Sequence, residues 1–239
     1  MGNNEFSIEV QKENEQGKKE KIKITNNQTI FCVKYLISEI YHIDIDNFLL
    51  YYKDNFLNES QLVSFYNINK GDILTIREGF KINIEAKIGK AEKIKNYSIT
   101  IVENMTIKEI KEMINLKKFY ISYNYINIYF NDELLDETKK VSDYNITSKD
   151  KLSVIIKSSN PDEFLIFFSG EDEKKYGLFV KNEYKLKYII GLFCKTYNIR
   201  NEDYFYFKKN RQLMEDRTIE EESIKEFNVL VRVKPVMYG

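Results

Sequence analysis

Few side chains in this sequence could together carry out acid–base or nucleophilic chemistry. The 239 residues include one histidine, His42, and two cysteines, Cys32 and Cys194. A Ser-His-Asp triad or a histidine-based zinc centre is not available from this set. His42 follows a predicted helix, where we expect it to cap the helix end, and the acidic pair Asp136 and Glu137 falls in a predicted turn. We therefore predict a protein that is not an enzyme and uses no cofactor and no metal ion.

Composition excludes several broad classes of function. The chain has 37 basic and 37 acidic residues, so its formal net charge is zero. A general nucleic-acid-binding or membrane-surface protein carries an excess of basic residues, and no segment approaches the ~18 apolar residues of a spanning helix. The two cysteines suggest a reducing compartment rather than a disulfide framework. We expect a cytoplasmic or nuclear protein with no nucleic-acid and no membrane partner.

A repeated tripeptide reveals how the chain is organised. Tyr66-Asn67-Ile68 occurs again as Tyr144-Asn145-Ile146. The spacing matches the length of one small domain, and a third, more diverged copy fits in the remaining residues. The chain is therefore predicted to contain three tandem copies of one domain.

Each copy has the same order of structural signals. In the first copy, alternating apolar residues predict two paired strands. Thr29 is a good N-cap for a helix that buries Ile30, Val33 and Ile37 on one face. Short strands follow, and a last strand in which Leu74 points inward ends the copy. The other two copies repeat this order of apolar positions.

The segments Leu134–Ile146 and Leu57–Ile68 resemble ubiquitin. With the apolar positions that agree in all three copies, nearly the whole chain is similar to the ubiquitin-like β-grasp family, and the second copy is closest to ubiquitin. The resemblance implies an α+β fold of three tandem β-grasp domains, each a mixed sheet packed on one helix. The last strand of each domain is expected to pair parallel with its first strand. We expect the domains at residues 1–79, 81–157 and 163–239.

The resemblance also implies where partners bind. Ubiquitin is contacted mostly on an exposed sheet face, and its central isoleucine aligns with a tyrosine in each copy. The predicted partner-binding residues on the three faces are Tyr51, Arg77, Ile88, Tyr129, Ile155, Tyr206 and Arg232. Tyrosine and arginine are frequent in interfaces, although tyrosine also occurs on strands simply because it favours them. The second copy keeps the most apolar surface and is the preferred binding face.

The last two residues suggest an alternative. Ubiquitin-like modifiers are attached through a terminal glycine, and the autophagy modifiers end in an aromatic residue and one glycine, as Tyr238-Gly239 does here. Gly239 is therefore a possible conjugation site. The junctions between copies lack Gly-Gly, so the three copies are expected to remain one polypeptide.

The leading hypothesis is a non-enzymatic, multivalent protein-binding adaptor of the ubiquitin pathway that is monomeric when free. Its partners would be receptors of ubiquitin-like domains. The alternatives are a modifier conjugated through Gly239 and a structural subunit of a large assembly.

Overall fold

The computed structural model describes residues 5–15, 17–114, 120–169, 174–199 and 204–233. These residues form three five-stranded sheets and three α-helices, one helix in each repeat. Every sheet has the same strand order when its strands are numbered within the repeat: second, first, fifth, third, fourth. The predicted α+β fold of three tandem β-grasp repeats is confirmed.

The first repeat shows how the sequence dictates these elements. Ile8 and Val10 are buried on one side of the first strand, opposite the buried Ile22 and Ile24 of the second. The elements are β1 (Glu5–Lys12), β2 (Lys19–Thr25), α1 (Ile30–Tyr41), β3 (Phe48–Tyr52), β4 (Asn55–Phe56) and β5 (Ile73–Glu78). Their inward side chains form one apolar core against the helix.

The caps of α1 are those expected from the sequence. The Thr29 hydroxyl accepts a hydrogen bond from the Cys32 backbone N–H at 3.3 Å. At the other end His42 adopts a left-handed conformation with φ of 52°, and its N–H donates to the Ser38 carbonyl. This geometry ends the helix and gives His42 a structural position.

The second repeat follows the same plan. Its elements are β6 (Phe80–Ile88), β7 (Lys93–Ile101), α2 (Ile107–Ile114), β8 (Ile126–Phe130), β9 (Glu133–Leu134) and β10 (Lys151–Ile156). The α2 N-terminus carries a capping box: the Thr106 hydroxyl accepts from the Glu109 N–H, and the Glu109 carboxylate accepts from the Thr106 N–H. This reciprocal pair satisfies two of the N–H groups that a helix start leaves without partners.

The third repeat has the same elements with weaker caps. They are β11 (Phe164–Ser169), β12 (Lys175–Val180), α3 (Leu186–Thr196), β13 (Phe205–Lys208), β14 (Arg211–Gln212) and β15 (Val229–Val233). The N-cap residue of α3 is Lys185, which makes no side-chain cap hydrogen bond.

A parallel pair of strands lies inside the first and third sheets. β1 pairs parallel with β5, and β11 pairs parallel with β15. All other pairings in these two sheets are antiparallel. The predicted return of the last strand beside the first is confirmed for these repeats.

Contacts divide the chain into two compact units rather than three. One comprises Met1–Ile84, Tyr97–Met113 and Leu135–Leu152, and the other comprises Glu85–Asn96, Ile114–Leu134 and Ser153–Gly239. The domain boundaries expected from the sequence remain a prediction. Among the described residues, the helices are too short or too polar to cross a bilayer.

An ion pair with a nearly buried lysine recurs in the first two repeats. Lys34 Nζ lies 2.7 Å from Glu59 Oε1, and Lys111 Nζ lies 2.7 Å from Glu137 Oε1. Both lysine side chains are 4% exposed. Each pair ties the helix to the loop that crosses its N-terminus. In α3 the matching position is the buried Ile190.

We expect Glu59→Ala to lower the free energy of unfolding of the first repeat by about 3 kcal/mol, because it removes the carboxylate that pairs with the nearly buried Lys34 ammonium. Adding Lys34→Ile, the residue type of the third repeat, should recover most of this loss. Hydrogen exchange of the α1 amides measures both changes. The control is Glu5→Ala, which breaks an exposed pair with Lys23 and should cost less than about 1 kcal/mol. Equal losses for the two alanine variants would contradict the argument.

Candidate partner-binding faces

The outer face of the first sheet is covered within the chain. Tyr51 is 1% exposed, so the expectation that it lies on an accessible face is wrong. The Arg77 guanidinium lies 4.0 Å from the centre of the Tyr51 ring and forms ion pairs with Glu13 and Asp54 at 2.8 and 2.9 Å. Stacking and two carboxylates thus engage the arginine side chain, which is 14% exposed.

Residues that follow β7 contact the edge of this face. Asn104 donates a hydrogen bond to the Glu13 carboxylate at 3.2 Å. Burial raises the pKa of the Tyr51 hydroxyl, and the nearby Glu109 carboxylate raises it further. Both effects disfavour the phenolate. The ring is covered by the Arg77 guanidinium and by Phe56, whose ring centre lies 6.1 Å from that of Tyr51, and a partner cannot reach it while that packing persists.

The outer face of the second sheet is partly accessible. Tyr129 and Ile155 are both half-buried. Tyr129 pairs with Ser153 on one neighbouring strand and with Leu134 on the other. Leu134 is 53% exposed. Tyr129, Ile155 and Leu134 thus provide a modest apolar surface.

Ile88 does not belong to that surface. It follows the buried Ile84 and Ala86 at the period of two residues that places side chains on one side of a strand, and it is 3% exposed. The expectation that Ile88 contributes accessible apolar surface beside Tyr129 is therefore wrong. It lines a small cavity of about 180 Å³ with Phe167 and Val229.

The turn after Ile88 is held by a carboxylate. Glu226 accepts hydrogen bonds from the N–H groups of Lys90 at 2.7 Å and Ala91 at 3.1 Å. Gly89 has φ of 70°, and a Cβ there would lie 2.4 Å from the Glu226 carboxylate. Glycine is therefore required at this turn. The hydrogen bonds from Lys90 and Ala91 to Glu226 fix the turn that follows the buried Ile88.

In the third repeat the strands are shifted by one residue from the sequence alignment. The Leu213 N–H donates to the Tyr206 carbonyl, as the Leu57 N–H donates to the Leu50 carbonyl in the first repeat. Tyr206 therefore corresponds to the buried Leu50, and Phe207 corresponds to Tyr51. A shift of one residue moves every side chain of a strand to the opposite face.

Tyr206 and Arg232 consequently lie on the helix side of the sheet. Tyr206 is 3% exposed and packs edge-on against Phe168 in the core. Arg232 pairs opposite Tyr206, and its guanidinium lies 4.2 Å from the centre of the Tyr204 ring. The expectation that both residues lie on the outer face is wrong.

The same shift exposes apolar side chains. Phe205 pairs with Val233, and Phe207 pairs with Val231. Phe205, Val231 and Val233 are 46, 40 and 43% exposed, and Phe207 is half-buried. We call these four residues the third-sheet face. It is the most apolar accessible sheet face in the described parts of the repeats.

Lysines border the cavity next to this face. Phe167 of β11 pairs with Val229 of β15, so both lie beside the third-sheet face. The cavity that they line is also lined by Lys93, Lys95 and Lys175. Lys93 Nζ lies 5.7 Å from the centre of the Phe227 ring. An apolar surface therefore has a basic border on one side.

The sequence could not reveal the third-sheet face by periodicity. In the segments Phe205–Lys208 and Val229–Val233, large apolar or aromatic residues occur on both faces, such as Phe205 on one and Tyr206 and Leu230 on the other. Alternation identifies a buried face only when the other face is polar. The signal that could have revealed it is a spacing: Leu213 follows Tyr206 by the same interval as Leu57 follows Leu50. Tyr206 therefore corresponds to Leu50.

The remaining sequence-based site lies elsewhere. Gly239 is outside the described residues. Within the described ranges, no group of three or more His, Cys, Asp or Glu side chains is arranged to hold a metal ion. Cys32 is exposed and Cys194 is buried, and neither forms a disulfide.

Comparison with protein families identifies the first two repeats. The model of the ubiquitin family matches residues 6–77 and 87–159, which is more than half of the chain. No curated protein matches the sequence.

Similar solved structures include a Caldiarchaeum subterraneum ubiquitin. It is 16% identical, with 31% of this chain and 94% of that chain covered and a TM-score of 0.30. A structure of ATBAG1 in complex with HSP70 is 12% identical, with 30% of this chain and 40% of that chain covered and a TM-score of 0.28.

We expect Tyr206→Ala to lower the free energy of unfolding of the third repeat by about 3 kcal/mol, because it empties a buried aromatic site. Phe205→Ala, at the adjacent exposed position, should change it by less than about 1 kcal/mol. Hydrogen exchange of the β13 and β15 amides gives both values. A larger loss for Phe205→Ala would show that the strand register is not the one described.

Proposed function

The chain belongs to the ubiquitin family, and on that premise we propose that it is a non-enzymatic adaptor that binds other proteins through its sheet faces. The observation that carries the proposal is the exposure of Phe205, Val231 and Val233 on the third-sheet face. Contiguous exposed apolar side chains with a polar border are typical of protein-interaction sites. Aromatic side chains contribute strongly to such interfaces.

The chemistry around the third-sheet face favours a particular kind of ligand. Lys93, Lys95 and Lys175 border the adjacent cavity. A protein segment with apolar side chains that insert at Phe205 and Val231, flanked by acidic residues, would fit both features. Charge complementarity of this kind increases the association rate and the specificity more than the affinity.

A second contact at Tyr129 and Ile155 would make the adaptor multivalent. Both residues are half-buried on the outer face of the second sheet, next to the exposed Leu134. Two weak contacts on one chain gain avidity when a partner can engage both. Tyr51 and Tyr206 are excluded from the contact because they are buried. The proposed compartment is the cytoplasm or the nucleus.

The test is recovery of proteins from native cell extract on the immobilised full chain, quantified by mass spectrometry. We expect Phe205→Lys with Val231→Lys to reduce the recovery of a defined set of proteins by at least about tenfold, because two lysines replace central apolar contacts. The control is Ile94→Lys, at a position in β7 that is 57% exposed, and it should recover that set as the wild type does. An unchanged set with the double variant would refute the role of this face.

Deletion of Gly239 distinguishes the proposed adaptor from the alternative of a conjugated modifier. A modifier forms high-mass species that survive boiling and thiol reduction and that disappear with the glycine. An adaptor forms none in either case. A subunit of a stable assembly would instead be recovered in a fixed complex that the double variant does not alter.

A further inference from the structure

The helix side of the first repeat carries a second group of exposed apolar side chains. Phe31 and Tyr35 lie one turn apart on α1 and are 50 and 53% exposed. Leu62 and Phe65 come from the loop between β4 and β5 and are 42 and 64% exposed. We call these four residues the helix-side patch. They belong to none of the sheet faces.

Backbone contacts hold the two segments of this patch together. The Ile30 N–H donates to the Gln61 carbonyl at 2.8 Å, and the Val63 N–H donates to the Gln28 carbonyl at 2.9 Å. Thr29 and Leu62 form a β-bridge. The loop therefore crosses the start of α1 in a fixed position.

The other two repeats have polar residues or glycine at the same places. The equivalence follows from the matching bridges, Thr106 with Lys140 and Lys185 with Thr218. Phe31, Tyr35, Leu62 and Phe65 correspond to Lys108, Glu112, Lys140 and Asp143 in the second repeat and to Lys187, Gly191, Thr218 and Glu221 in the third. The fold therefore does not require apolar residues at these positions.

The first repeat also gives up a local cap at this site. In the second repeat the Asp143 carboxylate accepts from the Lys140 N–H at 2.8 Å, and in the third the Glu221 carboxylate accepts from the Thr218 N–H at 2.7 Å. Phe65 occupies the corresponding position, and the short helix Val63–Tyr66 has no side-chain cap. The Phe65 ring packs edge-on against Tyr66, with 5.0 Å between the ring centres, yet it remains 64% exposed. An exposed phenylalanine thus stands here in place of a stabilising carboxylate.

Charge restricts what can cover the helix-side patch. Residues 24–33 and 60–69 contain no Asp, Glu, Lys or Arg, although 31% of the whole chain is charged. A charged surface placed on this patch would lose hydration without gaining a partner. The patch itself meets the requirement, because its four side chains are uncharged and a twofold axis would bring them against the same four side chains of a second copy. Twofold dimers with self-complementary patches are the commonest oligomers.

We propose that the helix-side patch is the interface of a weak homodimer of this chain. Four main side chains make a small contact of the kind found in transient complexes, so dimerisation depends on concentration. This proposal differs from the sequence-based expectation of a protein that is monomeric when free. The patch shares no residue with the third-sheet face, and a dimer would carry two copies of that face.

Sedimentation equilibrium over a wide range of concentrations tests the dimer. We expect the weight-average mass of the wild type to rise from 28.6 kDa toward twice that value. Phe31→Lys with Leu62→Lys, which introduces the residue types of the second repeat, should stay at the monomer mass. The control Ile94→Lys should associate as the wild type does.

A further variant separates association from folding. Phe65→Asp introduces the carboxylate of Asp143 and is expected to keep or raise the thermal stability of the first repeat while it abolishes dimerisation. A wild-type mass that stays constant with concentration would overturn the proposal. So would patch variants that associate normally, or a control that loses association together with them.

Discussion

The structure of each repeat depends on how a loop completes the start of its helix. The N–H groups of Phe31, Lys108 and Lys187 donate to the carbonyls of Glu59, Glu137 and Glu215 at 3.0, 3.2 and 2.8 Å. The first N–H groups of a helix have no partner within it, so a loop that supplies two carbonyls is fixed there. This contact persists in the third repeat, where Lys185 provides no side-chain cap. Backbone pairing between distant segments therefore carries the fold while the side chains around it change.

The nearly buried lysines show how the side chains around this backbone pairing differ between repeats. The Lys34–Glu59 pair and the Lys111–Glu137 pair strengthen the attachment of helix to loop in the first two repeats. In the third repeat Ile190 is buried in place of the lysine. A well-packed apolar residue can replace a buried ion pair without loss of stability. Similar cores have thus been kept while the surfaces of the three copies became different.

The sequence predicted the framework better than the surfaces. The three copies, the helix caps at Thr29 and His42, and the parallel central strands all follow from local patterns and resemblance. Tyr206 was assigned to the wrong face because both sides of its strand are apolar, so hydrophobic alternation did not fix the register. Tyr51 was expected to be accessible, but Arg77 and Phe56 cover its ring. Contacts between distant segments of this kind leave no periodic signal in one sequence.

Gly79 has a consequence for how the chain responds to mechanical force. It is the single residue between β5 and β6, and a Cβ there would lie 2.4 Å from the Ile101 carbonyl oxygen. Because strands flank Gly79 directly on both sides, the chain has no unstructured residues here that could extend under a pulling force. Between Ile156 and Phe164, by contrast, the chain forms neither helix nor strand and has slack to extend. The first two repeats would therefore resist stretching together, and the segment before the third would lengthen first.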